Sequence, residues 1–206
     1  MPRRPEGSIA VPAACLAVWL AVWVVCAISP LNRTDWLLEN LLTFASVGTV
    51  ALTFRFFRFS DRAYVQMTLF MILHAIGGHY TYSQVPLGDW MKDGLGLARN
   101  HFDRVVHFSF GLLMLRPMRE LGFRNDPQLG RFAKIYFATA GVGLWSMAYE
   151  VLEWLVAAIV DPAAGTAYLG TQGDVWDAQK DMGLALAGAF IASLFQFRRD
   201  GRPTTE

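Results

Sequence analysis

Cysteine is scarce in this sequence, and neither sign of charge is in excess. The two cysteines, Cys15 and Cys26, fall in one apolar run, which excludes a disulfide-stapled scaffold and indicates small apolar residues of a helix. The formal net charge is only +1 at pH 7, and no basic face or tail stands apart from the short loops. Nucleic acid is therefore excluded as a partner.

Several motifs of soluble enzymes are also absent. The chain has no Gly-x-Ser-x-Gly, no His-Glu-x-x-His, no glycine-rich phosphate loop and no Cys-x-x-Cys. Serine hydrolase chemistry and nucleotide binding are therefore disfavoured.

Long apolar runs are what the sequence has in abundance. Hydrophobic residues make up 54% of the chain, and runs of about 20 residues with few charges are long enough to cross a hydrocarbon core of about 30 Å. The sequence predicts an all-α, polytopic membrane protein with six transmembrane helices in one bundle, forming a single domain over residues 1–206. The predicted spans are residues 9–28, 36–57, 63–78, 103–121, 132–156 and 175–195.

The basic residues predict how these spans are oriented. Thirteen of the 18 lysines and arginines lie at the two termini and on alternate loops, and basic residues near helix ends are retained on the cytoplasmic side. These are Arg3, Arg4, Arg55, Arg58, Arg62, Arg116, Arg119, Arg124, Arg131, Lys134, Arg198, Arg199 and Arg202. Both termini are predicted to be cytoplasmic, so loops 79–100 and 161–173 face outward.

An acidic stripe opens the last predicted span. Asp174, Asp177 and Asp181 stand at i, i+3 and i+7, within about 60° of one another on a helix. An ionised group as deep as Asp181 costs about 2.5–3.5 kcal/mol in lipid, so it is expected to face a polar interior. Asp174 is equally well placed to cap the helix.

Asn100, Asp103 and His107 repeat this spacing at the outer end of the fourth span. Asp103 and His107 are close enough for the carboxylate to orient the imidazole, or for both to bind one metal ion. The alternative is that Arg104 pairs with Asp103 and that the histidine packs at a helix interface.

Glu150 and Glu153 place two carboxylates on one face of the fifth span. With histidine and aspartate from other helices they form a ligand set for a divalent metal ion, and equally a set for proton relay or acid–base catalysis. The predicted catalytic residues are Asp103, His107, Glu150, Glu153, Asp177 and Asp181. The predicted metal ligands are His107, Glu150, Glu153, Asp177 and Asp181.

Further polar residues near these stripes are predicted to support the site. His74 is the deeper of two histidines whose side chains point about 140° apart on a helix, and His79 begins the following loop. Residues 85–97 read as a short amphipathic segment on the outer surface, with Trp90 and Lys92 suited to the headgroup zone. The supporting residues are His74, His79, Asn100, His101, Arg104, Gln172 and Asp174.

Three strings of the sequence carry a resemblance to a known family. HYTYSQVPLG at residues 79–88, RNHFDRVVHF at 99–108 and LGTQGDVWDAQKDM at 169–182 resemble the YjdF-type family of bacterial inner-membrane proteins. The resemblance implies a multi-pass protein of the bacterial inner (cytoplasmic) membrane. It implies no reaction, because that family has no assigned function.

The last two spans also resemble the VanZ-like membrane proteins. The acidic pair Glu150 and Glu153, an outer loop and an aspartate-bearing, glycine- and alanine-rich helix are similar to theirs, and that group is associated with glycopeptide resistance at the envelope. This chain departs from their pattern because no basic residue lies in loop 161–173, so an anion-binding role for that loop does not carry over.

Three functions fit these features. The leading hypothesis is a membrane-embedded, metal-assisted or acid–base enzyme, a hydrolase or transferase, acting from the outer face on a lipid or lipid-linked envelope substrate. One alternative is a small transporter coupled to protons or cations. The other is a non-catalytic envelope factor that binds lipid. Membrane lipid is the expected partner in each case, and the sequence predicts no oligomeric state.

Overall fold

All the regular secondary structure in the part of the chain described by the computed structural model is helical. That part comprises residues 8–123, 126, 128–160, 165 and 168–200, without the side chains of residues 198–200. Within it there are seven helices of ten residues or more and no strand, which confirms the all-α prediction. The helices are α1 (Ala10–Ala27), α2 (Arg33–Thr53), α3 (Asp61–His79), α4 (Pro86–Leu95), α5 (Phe102–Phe123), α6 (Arg131–Ile159) and α7 (Asp177–Asp200).

Three of the helices, α1, α2 and α6, are long and apolar enough to cross a membrane. The other three predicted spans coincide with α3, α5 and α7, which carry more polar residues. Four basic residues that predict the orientation lie outside the described residues, as do residues 161–164, 166 and 167 of the outer loop. These four are Arg3, Arg4, Arg124 and Arg202. Six spans with cytoplasmic termini therefore stay a prediction.

The helices group into two compact units, residues 1–102 and residues 103–206. We call them the N-terminal and the C-terminal unit. Nothing in this grouping tests the single domain predicted from the sequence.

In the N-terminal unit α3 packs against both α1 and α2. The side chain of Asn32 accepts hydrogen bonds from the first-turn amides of α2, and Ser60 does the same for α3, so both helices begin at good N-caps. Nδ1 of His79, at the end of α3, donates to the carbonyl oxygen of Cys26 at 2.8 Å. This bond ties the end of α3 to the end of α1.

The short helix α4 confirms that the predicted amphipathic segment is helical. Pro86 stands in its first turn, where no amide is required, and Gly96 ends it in the left-handed conformation at φ 62°. Its apolar side chains Leu87, Trp90 and Leu95 are exposed. An exposed face of this kind suits the membrane interface.

The C-terminal unit is held together by very close helix packing. A Cβ atom at Gly111 of α5 would overlap the carbonyl oxygen of Ala185 of α7, and one at Gly188 of α7 would overlap the carbonyl oxygen of Phe108 of α5. The two backbones are therefore in contact, as small residues allow between membrane helices. α6 packs along α7, and the buried apolar core of the unit consists of Leu115, Ala138, Val142, Ala189 and Ala192.

Candidate functional site

Four of the predicted site residues come together in the C-terminal unit. Nε2 of His107 lies 3.4 Å from Oδ1 of Asp103 and 3.5 Å from Oε1 of Glu150. Asp103, His107 and Asp181 each offer a ligand atom, and those atoms all lie within 4.8 Å of one another. We call Asp103, His107, Glu150 and Asp181 the acid–histidine cluster; its members come from α5, α6 and α7.

This cluster is buried and incompletely hydrogen-bonded. Asp181 is 2% exposed and His107 9%, whereas the side chain of Asp103 is 20% exposed and forms the accessible edge. Oδ1 of Asp181 and Oε1 of Glu150 are buried with no hydrogen-bond partner among the described residues. A buried polar atom without a hydrogen-bond partner costs about 1–3 kcal/mol of stability, and more when it is charged. A ligand that binds these two oxygens would remove this cost.

The backbone contact between α5 and α7 places the two halves of the cluster. Gly111 follows His107 by one helical turn, and Ala185, which Gly111 touches, follows Asp181 by one turn. Because the axes of α5 and α7 approach closely at these small residues, the short side chain of Asp181 and the imidazole of His107, each one turn away, lie close together.

A second set of charges lies beside the cluster. The side-chain oxygen Oδ2 of Asp174 accepts hydrogen bonds from Arg104 and, at 2.6 Å, from Nζ of Lys180. Arg104 also lies 3.5 Å from Oδ1 of Asp177. Arg104 thus pairs with Asp174 and Asp177, which differs from the considered pairing with Asp103. We call Arg104, Asp174 and Lys180 the bridging triad.

Asp174 is held ionised by its neighbours. The hydrogen bond from Lys180, followed by those from the Trp176 amide and Arg104, lowers the pKa of Asp174 to about 2. The Trp176 amide donates to Oδ1 at 3.1 Å, so Asp174 also shapes the turn that leads into α7. This hydrogen bond matches the capping role considered for Asp174.

The bridging triad leaves the cluster short of positive charge. In the described part of the chain, no lysine or arginine forms an ion pair with Asp103, Glu150 or Asp181. Their neighbouring base is His107, and the charge of Arg104, which is paired with Asp174 and Asp177, also acts on Asp181. The three carboxylates therefore face at most two positive charges, one of which is shared with Asp174 and Asp177. Electrostatics therefore favours either protons or a cation among them.

The remaining predicted site residues are not members of this cluster. Glu153 is half-buried one turn beyond Glu150, and the two side chains are hydrogen-bonded. Gln172 is exposed at φ 49° in the loop before α7. His74, His79, Asn100 and His101 belong to the N-terminal unit. Their supporting role stays a prediction, since nothing places them at the acid–histidine cluster.

Two of those residues have structural hydrogen bonds of their own. Nε2 of His74 donates to the carbonyl oxygen of Glu39 at 3.2 Å, and its Nδ1 accepts from the hydroxyl of Tyr82. Asn100 is almost fully buried and donates to the Val85 carbonyl and to Asp89, each at 3.0 Å. It thereby anchors α4.

Several buried polar residues are missing from the predicted set, among them two acids and a serine. Asp35 and Glu39 stand at i and i+4 on α2 and are both buried, and Ser146 is buried one turn before Glu150. The spacing of two acids inside an apolar run was the available signal for Asp35 and Glu39. Ser146 carried no signal, because an isolated serine in a membrane helix is common.

The comparisons with known proteins agree with the helical, membrane-suited fold. The family described as "Predicted membrane protein (DUF2238)" matches residues 11–202, and the chain therefore belongs to this family of membrane proteins. One relative is the inner membrane protein YjdF of Escherichia coli (strain K12). It is 33% identical over 177 residues, covering 86% of this chain and 84% of that protein.

These matches confirm two predictions made from the sequence. The resemblance to the YjdF-type family is confirmed, and so is the location in the bacterial inner membrane. No solved structure matches the chain. The resemblance of the last two spans to VanZ-like proteins stays an interpretation.

Proposed function

We propose that this protein is an inner-membrane enzyme whose acid–histidine cluster binds a divalent metal ion and acts on a lipid or lipid-linked substrate at the outer face. The proposal includes six transmembrane helices with both termini in the cytoplasm. That topology puts the outer ends of α5, α6 and α7, and with them the cluster, towards the outside of the cell.

The geometry around His107 carries this proposal. Its Nε2 faces carboxylate oxygens of Asp103 and Glu150 at 3.4 and 3.5 Å, which is long for a hydrogen bond. Two ligand atoms of a tetrahedral metal ion with metal–ligand bonds of about 2.1 Å are separated by about the same distance. The unpartnered Oδ1 of Asp181 supplies a further ligand atom.

One nitrogen and several carboxylate oxygens suit ions such as Zn²⁺, Mn²⁺ or Fe²⁺. Such an ion supplies Lewis acidity and lowers the pKa of a bound water. Asp181 and Glu150 would hold it from the buried side, and His107 would complete the set. Asp103 is the most exposed member and is positioned to accept a proton from a water that enters from outside.

An apolar layer below the cluster favours an enzyme over a transporter. Leu115, Val142 and Ala189 are each eight residues along their helix from His107, Glu150 and Asp181. That is about 12 Å at 1.5 Å per residue. All three are fully buried, so in this unit the polar site is separated from the inner ends of the helices by packed side chains. A transported ion would have to cross that layer.

Metal binding is the first test of the proposal. Purified full-length protein, treated with chelator and titrated with Mn²⁺ or Zn²⁺ by calorimetry, is expected to bind one ion. Asp181→Asn is expected to weaken binding by about a hundredfold, because mutating even a residue that only orients a metal ligand costs about 10–100-fold in affinity. Asp93→Asn on the exposed face of α4 is the matched control. Equal affinity in all three proteins would contradict the proposed site.

Turnover is the second test. Full-length protein in vesicles of bacterial membrane lipid is incubated with and without Mn²⁺, and the lipids are compared by mass spectrometry. We expect a metal-dependent change in a lipid headgroup with the wild type and with Asp93→Asn, and none with Asp181→Asn. Identical lipid profiles with metal-loaded wild type and Asp181→Asn would argue against an enzyme of this substrate class.

A further inference from the structure

We propose that Arg104 and Lys180 of the bridging triad bind the phosphate group of the substrate, and that Asp174 is an internal carboxylate which this phosphate displaces. The inference rests on the proposed function, since it places the substrate's phosphate beside the metal-binding cluster. It narrows the substrate class to amphiphiles that carry a phosphate.

The contacts of Asp174 are those that a phosphate oxygen would make. A single oxygen, Oδ2, accepts hydrogen bonds from two cationic side chains that come from different helices. Arginine and lysine are the usual phosphate-binding residues, and an oxygen shared by two of them is a strong anion position.

The sequence places this position directly beside the acid–histidine cluster. Arg104 follows Asp103 on α5, and Lys180 precedes Asp181 on α7. On each of these two helices, the aspartate belongs to the acid–histidine cluster and the basic residue next to it donates a hydrogen bond to Asp174. A phosphate bound by Arg104 and Lys180 would lie next to the acid–histidine cluster. A metal ion bound in the cluster would offset the repulsion between the phosphate and the carboxylates.

Asp174 lies on a turn that can move away from Arg104 and Lys180 when a phosphate binds them. Residues 170–174 form a turn outside the helices, with Gly170 at φ 59° and Gly173 at φ 85°. The polar bonds broken when Asp174 moves include those from Arg104, Lys180 and the Trp176 amide, and a phosphate would accept the bonds from Arg104 and Lys180 in its place. No helix has to unfold.

The next residues argue for a lipid as the source of the phosphate. Val175 and Trp176 are 84% and 62% exposed at the outer end of α7. An exposed tryptophan beside an exposed valine is typical of the membrane interface, at the depth of lipid headgroups. Phosphate held by Arg104 and Lys180 would then lie at the depth where phospholipids carry theirs.

Calorimetry on the metal-loaded, full-length protein tests the inference. The titrants are inorganic phosphate, dihexanoylphosphatidic acid and, as the phosphate-free reference, dihexanoylglycerol. Asp174→Asn is expected to bind the phosphates about tenfold more tightly than the wild type, because the competing carboxylate charge is removed. Arg104→Gln and Lys180→Gln are each expected to bind them about tenfold more weakly, while Lys92→Gln on α4 leaves binding unchanged.

The outcomes separate the two proposals. Tighter phosphate binding by Asp174→Asn with unchanged metal affinity supports the inference, and preference for the lipid phosphate over inorganic phosphate assigns the source to a lipid. Asp174→Asn that binds phosphate no better than the wild type overturns it, even if the metal binds as proposed. Loss of metal binding in every arm, with the phosphate response of Asp174→Asn retained in metal-free protein, would instead overturn the proposed function alone.

Discussion

At the scale of single residues, the buried carboxylate of Asp181 is a costly group in the C-terminal unit. It is 2% exposed, one of its oxygens has no hydrogen-bond partner among the described residues, and the carboxylates of Asp103 and Glu150 interact with it electrostatically. Such a group is expected to lower the stability of the metal-free protein and to be retained because the ion requires it.

Asp181→Asn should therefore change stability in opposite directions with and without metal. Without metal, we expect its unfolding temperature to rise by about 2–4 °C, because a buried charge is removed. With saturating Mn²⁺, the wild type should gain stability and the variant should gain little. Intrinsic fluorescence during heating in neutral detergent measures both. A lower unfolding temperature for metal-free Asp181→Asn would show that Asp181 is a structural residue.

The bridging triad predicts a dependence of stability on pH. The pKa of Asp174 is lowered from its ordinary 3.8 to about 2 in the folded protein. Its contribution to stability is then fully present above pH 3.8 and is lost as the pH falls towards 2. The difference in unfolding temperature between wild type and Asp174→Asn should be constant from pH 7 to about 5 and shrink below about 4. A constant difference down to about pH 2.5 would contradict the ion pair.

The residues of the site were partly predictable from the sequence. Asp103, His107, Glu150 and Asp181 stood out because helical spacing put each beside another polar residue near one end of a span. The pairing of Arg104 with Asp174 was not predictable, because those residues are 70 positions apart and meet only through tertiary packing. The buried acids Asp35 and Glu39 were missed because they stand near the beginning of the second predicted span, where acidic residues are common at a helix N-terminus.

At the scale of secondary structure elements, the contact of α5 with α7 determines the site. Helix positions were predictable from apolar runs, and all six predicted spans begin within three residues of the start of a helix. The close approach was not predicted, although Gly111 and Gly188 were visible, since glycines in membrane helices serve several purposes.

Gly188→Ala tests this contact. Its Cβ would overlap the Phe108 carbonyl, so we expect a loss of about 1–3 kcal/mol in stability and weaker metal binding as α5 and α7 move apart. Gly183→Ala on the same helix is the matched control, because a Cβ there meets nothing within 4 Å. Thermal unfolding and Mn²⁺ titration of both variants measure the two effects. Equal behaviour of the variants would mean that the backbones are further apart.

At the scale of the whole molecule, the topology decides which side of the membrane the site serves. Among the described residues, three helices are apolar enough to be recognised as spans by length and composition, whereas α3, α5 and α7 carry more polar residues. The polar residues at the ends of these spans are the evidence for a functional site. The same residues lower the mean hydropathy of the helices, so the number of spans is harder to establish from composition.

Cysteine labelling in intact cells tests the six-span topology. In a variant with Cys15→Ser and Cys26→Ala, a cysteine introduced by Gln172→Cys should react with a membrane-impermeant maleimide added outside. One introduced by Gln128→Cys, in the connection between α5 and α6, should react only after the cells are opened. Both positions are exposed. Labelling of Gln128→Cys from outside would reverse the predicted orientation and place the cluster towards the cytoplasm.

The central claim is that the acid–histidine cluster is a metal site with one histidine ligand. Electron spin echo envelope modulation of Mn²⁺ bound to the full-length protein measures this directly, because a coordinated imidazole gives a ¹⁴N signal. We predict the signal of one histidine nitrogen in the wild type and in His101→Gln, and its loss in His107→Gln. A spectrum without nitrogen coupling in the wild type, or one that persists in His107→Gln, would contradict the account.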